Sequence, residues 1–219
     1  DMVNWWIEDD PQQVHAYGSL RFYGAAGRIR GTRCLGCQHA NECEYWWDIT
    51  ASEHSRQFYY EAESEDGYHR DGCVFDPEIN IWDTMSLNVK YQHGPIMTYS
   101  LIAHSPYEGW RATISGTKGR IEAWEYHSRN YQAEADYQTI HYYNRKNELV
   151  EYHVPKARSG HGGGDTLLRD HLFVEKEHKD PLGLRAGSWG GAMSVLIGVA
   201  ARESIYQQKP VDISELIRE

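Results

Sequence analysis

The chain has 219 residues, 40% hydrophobic and 25% charged, with a formal net charge of −10. That length supports one sizeable core or at most two small ones, and the composition is that of a soluble globular domain. The acidic balance argues against nucleic acid, which needs a basic surface to displace its counterions. No apolar run reaches the about 18 residues of a membrane span; the longest, around Met193–Ala201, is broken by Gly198. Sixteen Tyr and eight Trp against four Phe suit half-wet walls such as carbohydrate clefts and subunit interfaces, although strands also favour both residues.

Asp1-Met-Val-Asn-Trp-Trp-Ile7 reads as the middle of an amphipathic helix that stops before Pro11. A helix without its first turn implies residues before Asp1. Any targeting segment would lie there, so a cytoplasmic location is the working expectation and export stays open. Val14–Tyr23 alternates as a strand. Gly24–Asp48 is rich in Gly and Cys with little periodicity, an irregular lobe held by something other than a core. Ser52–Glu63 fits a short helix with Ser52 as N-cap.

From Ile79 the period becomes two. In Thr84–Tyr91 the residues Met85, Leu87, Val89 and Tyr91 face one way. His93-Gly94 turns into Ile96–His104; Trp110–Ser115 and Arg120–Trp124 flank the hairpin signal Gly116-Thr-Lys-Gly119; Asn144-Arg-Lys-Asn147 joins Tyr137–Tyr143 to Leu149–Val154. Six consecutive strands with short connections predict a large, mostly antiparallel open sheet. Helices follow at Asp165–Val174 and Gly190–Tyr206, the second carrying Met193, Leu196, Ile197, Ala200, Ala201 and Ser204 on one stripe. Small residues at Gly198, Ala200 and Ala201 would let that helix lie close to the sheet. The fold class is α+β, with helices on one face and an uncovered face that needs a partner or a polar surface.

Cys34-x2-Cys37-x5-Cys43 with Cys73 twenty-nine residues later supplies four thiolates, the number tetrahedral zinc takes. Two disulfides or four unlinked thiols are the alternatives. Such a zinc would be structural, since four protein thiolates leave no open position. Trp46 and Trp47 would cover this lobe, while Trp5 and Trp6 would pack a helix onto the sheet. The twelve histidines are scattered with no His-x3-His, which speaks against a catalytic metal.

Asp1-Met-Val-Asn-Trp-Trp, Pro106-Tyr-Glu-Gly109, Gly116-Thr-Lys-Gly-Arg-Ile-Glu122, Gly160-His-Gly-Gly-Gly-Asp165, Ala200-Ala-Arg-Glu-Ser204 and Lys209-Pro-Val-Asp-Ile213 occur in that order. Together they resemble the C-terminal domain of the Gfo/Idh/MocA oxidoreductases, the family of glucose–fructose oxidoreductase and inositol dehydrogenase. The resemblance implies an NAD(P)-dependent enzyme of a sugar or polyol, with an N-terminal Rossmann domain and a C-terminal α+β domain that lines the substrate cleft and assembles oligomers. Residues 1–219 would be that second domain alone, with a Cys-containing insertion at about 24–75. No Gly-x-Gly-x-x-Gly and no Glu-Lys-Pro is present. Asp1 matches the aspartate that follows the family's catalytic histidine, so no catalytic residue is expected here, and no turnover or tight NAD(P) binding from this chain alone.

The family's sugar site carries over to His161 and Asp165, with Asp165 equally placed as a helix N-cap. Tyr107, Glu108 and Arg111 could bind hydroxyls or form an exposed turn with a weak ion pair. Two other functions remain open: an NAD-dependent, redox-neutral glycosidase or lyase, whose relatives carry a similar Gly-His-Gly-Gly, and a non-catalytic oligomerisation or binding module.

Overall fold

In a computed structural model, residues 1–27, 29–127, 136–156, 160–174 and 179–217 are described. The expected α+β class and antiparallel strands are present, and the strands form two four-stranded sheets, ordered β3-β2-β1-β8 and β4-β5-β6-β7. The chain divides into two compact units, Asp1–His104 with Ala186–Glu219, and Ser105–Arg185.

In the first unit, α1 (Met2–Ile7) is ended by Glu8 in the left-handed conformation, φ 51°, and β1 (Pro11–Ser19) begins at Pro11. The register slips between Pro11 and Gln13 and then runs evenly against β2 (Thr84–Tyr91), with Val14 opposite Val89. This puts Val14, Ala16, Val89 and Tyr91 on one face. The 20-residue α5 (Ser188–Gln207) covers that face with the stripe read from the sequence: Met193, Ala200, Ala201 and Ser204 are buried. Ala200 and Ala201 are the small residues at the core; a side chain on Gly198 would meet nothing within 4 Å. The tight approach falls instead at Gly18, where a Cβ would lie 2.8 Å from Ile205 Cδ1.

β8 (Val211–Asp212) pairs with Gln13 and Val14, while β3 (Ile96–Ile102) lines the other side of β2. The face turned from α5 carries the polar Gln13, His15, Ser86, Asn88, Thr98 and Ser100 together with the exposed Tyr17, Ile96 and Ile102. Between β1 and β2 runs the irregular lobe, with short helices α2 (Glu53–Ser55) and α3 (Glu63–Asp66). Ser52 caps α2 as expected, its Oγ accepting from Ser55 N at 3.1 Å.

In the second unit β4 (Gly109–Gly116) and β5 (Gly119–Tyr126) form the expected hairpin. Gly119 is required, since a Cβ there would fall 2.3 Å from the Tyr143 carbonyl on β6. β6 (Tyr137–Asn144) and β7 (Leu149–Pro155) meet through a turn in which Asn144 Oδ1 accepts from the amides of Lys146 and Glu148. The six expected strands divide after Ile102, where the chain leaves through Ser105-Pro106 and Pro106 can donate no ladder hydrogen bond. β7 leaves Leu149, Val150, Tyr152 and Val154 exposed. The helix α4 (Gly164–Arg169) continues as a π turn over Asp170–Val174.

Candidate functional site

The segment Gly160–Gly163 places His161 (φ 47°), Gly162 (φ 62°) and Gly163 (φ 87°) in succession in the left-handed region. Glycine adopts that conformation freely, whereas for His161 it costs about 1 kcal/mol, a strain of the kind found where a side chain must be presented. The imidazole is 86% exposed, and its Nδ1–H donates to the Asp165 carboxylate at 2.8 Å. With Nδ1–H so engaged, Nε2 is the ring nitrogen left as acceptor. The N-cap of α4 is Gly163, so Asp165 is not the cap: it stands two residues past it and turns its carboxylate to His161.

Tyr107 and Glu108 precede β4 and Arg111 lies on it. Tyr107 packs edge-on against Tyr126 at 5.7 Å, and Arg111 Nη2 donates to the same phenol oxygen at 3.3 Å. The Glu108 carbonyl accepts from His127 N. Tyr107 and Arg111 thus gather around the half-buried Tyr126.

The four cysteines are all free thiols, and all four line one cavity of about 120 Å³ with Trp46 and Trp47. Trp46 Nε1 donates to the Cys34 carbonyl at 3.1 Å, as expected of a residue covering the lobe. Burial pushes the Cys34 thiol above its usual value, reinforced by Asp71 and the neighbouring sulfurs. A preformed zinc site is not what the structure shows: among the described residues no group of three or more His, Cys, Asp or Glu stands at metal-holding geometry.

Two carboxylate clasps escaped the reading of the sequence. Asp83, 2% exposed, accepts from the amides of Arg21, Phe22 and Tyr23 at 2.7–3.1 Å and from the Thr84 hydroxyl. Burial alone would raise its pKa, but these donors hold it at about 2. Asp71 accepts from Leu35 N at 2.8 Å and faces Arg33, which also binds Glu63; against burial, Arg33 and Leu35 keep its carboxyl below the ordinary range. Isolated aspartates in aperiodic sequence carry no signal of such roles. A third, Asp9, accepts from His93 N and Nδ1 beside the buried Tyr91.

A family model described as "Oxidoreductase family, C-terminal alpha/beta domain" matches residues 1–213. YteT of Bacillus subtilis (strain 168), a protein inferred to be an oxidoreductase, is 37% identical over 232 residues, covering 100% of this chain and 54% of its own. The chain thus spans about half the length of that curated relative. Three solved structures share the fold. An oxidoreductase domain protein from Kribbella flavida has TM-score 0.54 and 13% identity, over 97% of this chain and 48% of its own. An oxidoreductase from Agrobacterium radiobacter in complex with NAD+, L-tartaric acid and magnesium gives 0.52 and 13%, over 99% and 47%. The aldose-aldose oxidoreductase from Caulobacter crescentus complexed with glycerol gives 0.51 and 12%, over 96% and 43%.

Proposed function

From the chain's membership of the Gfo/Idh/MocA oxidoreductase family, whose C-terminal α/β domain it matches over residues 1–213, we propose that it is the substrate-side and assembly domain of an NAD(P)-dependent oxidoreductase acting on a sugar or polyol. The observation that carries the substrate reading is the exposed His161–Asp165 pair on a run of left-handed residues. His161 Nε2 binds a substrate hydroxyl, and Asp165 holds the ring in the orientation that presents it. The relatives of known structure lend the substrate class, one being an aldose-aldose oxidoreductase and another an oxidoreductase complexed with L-tartaric acid.

Among the described residues the strands form no dinucleotide cradle. Both described sheets are antiparallel, whereas a dinucleotide cradle needs a parallel βαβ unit with a glycine-rich turn. NAD(P) therefore belongs to the remainder of the proposed parent, and hydride and proton transfer with it. The exposed apolar side chains of β7, Val150, Tyr152 and Val154, support assembly with a second copy, which sedimentation of the chain across a dilution series would read.

In the parent enzyme, His161→Ala is expected to raise KM for the sugar or polyol about tenfold while leaving the dissociation constant for NAD(P) unchanged. An unchanged KM removes His161 from the site. Accumulation of reduced cofactor marks a dehydrogenase; release of an aglycone with no net reduced cofactor assigns the parent to the redox-neutral glycosidases instead. Calorimetry of the chain alone should show no tight NAD(P) binding.

A further inference from the structure

The cysteine lobe has no part in the reading above. Between residues 24 and 75 the buried apolar side chains, among the described residues, are Ile49 and Phe75, too few to order some fifty residues by apolar burial alone. Its backbone is nonetheless drawn together at the sulfurs. Arg33 and Gly72 form a β-bridge, Cys34 N donates to the Asp71 carbonyl at 2.8 Å, and Cys73 N to the Thr32 carbonyl at 3.0 Å. These bonds place Cys34 and Cys73 diagonally across the Arg33–Gly72 bridge on the paired segments. Cys37 N donates to the Cys34 carbonyl through a turn that Gly36 completes at φ 74°, so one tight turn offers two sulfurs.

Cys43 N, bonded to the His39 carbonyl at 3.0 Å, brings the fourth thiol to the same cavity. Gly31 N–H points at Cys73 Sγ at 3.5 Å, and a Cβ on Gly31 would sit 2.9 Å from Cys37 Sγ. Arg33, Arg70 and Asp71 line the cavity; Arg33 is held by Glu63 and Asp71, which leaves Arg70 as the cation nearest the negative charge that four thiolates around a divalent ion retain.

We propose that Cys34, Cys37, Cys43 and Cys73 form a structural site for one soft divalent cation of the zinc class, the thiols drawing inward around their shared cavity as the ion binds. Four S–H bonds break, four metal–sulfur bonds of about 2.3 Å form, and four protons leave to solvent. No electron is transferred, and no position stays open for substrate. The ion takes the place of the core that the lobe lacks. The site is independent of the oxidoreductase reading, because its test reads sulfur and the lobe rather than turnover.

The reduced chain is titrated with Cd2+. The expected result is a thiolate-to-cadmium charge-transfer band that saturates at one ion per chain and a 113Cd resonance in the range of four-sulfur sites. Each Cys→Ser variant should weaken binding at least about tenfold and cut the band by about a quarter. Hydrogen exchange should slow in residues 29–75 on binding while amides of β1 and β2 stay unchanged. If a variant fails to fold, the wild-type resonance alone decides. No band at stoichiometric Cd2+, a resonance of two or fewer sulfurs, or two disulfides in place of four thiols in the native protein overturns the proposal.

Discussion

Where α5 crosses its sheet, Val14, Val89, Tyr91 and Ala200 lose all solvent contact, whereas the lobe between β1 and β2 buries two apolar side chains and hangs from carboxylates. The first region is held by non-directional burial, worth about 25 cal/mol per Å² of apolar surface removed from water. The second is held by directional bonds to ionised groups, which salt, acid or loss of a single acceptor can undo. One chain therefore carries two responses to perturbation, and substitutions can separate them.

The largest effect is expected from Met193→Ala, which opens a cavity beneath α5 and should cost about 3 kcal/mol. Urea unfolding would show a lower midpoint with the acid response of the lobe unchanged. Asp83→Ala comes next: three backbone amides lose their acceptor, at about 2 kcal/mol. Hydrogen exchange should rise at Arg21, Phe22 and Tyr23 and remain slow in β2.

The same clasp sets an acid response with a definite sign. The folded pKa of Asp83, about 2, lies below the about 3.9 of an unfolded aspartate. Its contribution is therefore complete above about pH 4 and is lost as pH falls towards 2; Asp71 and Glu63, both also lowered, act in the same direction. Asp83→Asn should flatten the fall in stability across that window, measured by unfolding at successive pH values.

Ser204→Ala is smaller, about 1 kcal/mol, because Ser204 Oγ accepts from Ala16 N at 3.0 Å and donates to the Lys209 carbonyl at 2.7 Å within the apolar core. It tests whether one polar bond matters where burial dominates. His161→Ala should change stability by less than about 0.5 kcal/mol, since its partner Asp165 is more than half exposed. A large loss there would make the pair a structural clasp like the others.

The periodic parts of the fold were legible in the sequence. β2, the β4–β5 hairpin and the buried stripe of α5 follow from alternation, a two-residue turn and helical spacing, which act locally. The division into two sheets was not legible, because it depends on which edges meet: β1 takes β2 on one side and β8 on the other, a partner two residues long and nearly the whole chain away. Among the candidate residues, His161 was singled out by its glycine context and Cys34, Cys37, Cys43 and Cys73 by their spacing, and the roles of all five stand as proposals. The role of Asp165 was misread in part because an acidic residue at a helix start fits a cap, while the preceding glycines shift the cap to Gly163. Asp71 and Asp83 gave no warning, since an acceptor of backbone amides needs no motif.

The discontinuity of the first unit also orders events in time. Its β1 and β2 lie within the first hundred residues, but α5 and β8 arrive only with residues 188–212. During synthesis the apolar face of Val14, Val89 and Tyr91 stays uncovered until residues 188–212 have emerged, while strands β4 to β7, built from neighbours in sequence, can pair earlier. The second unit should thus be ordered first, leaving the first open and dependent on its last helix.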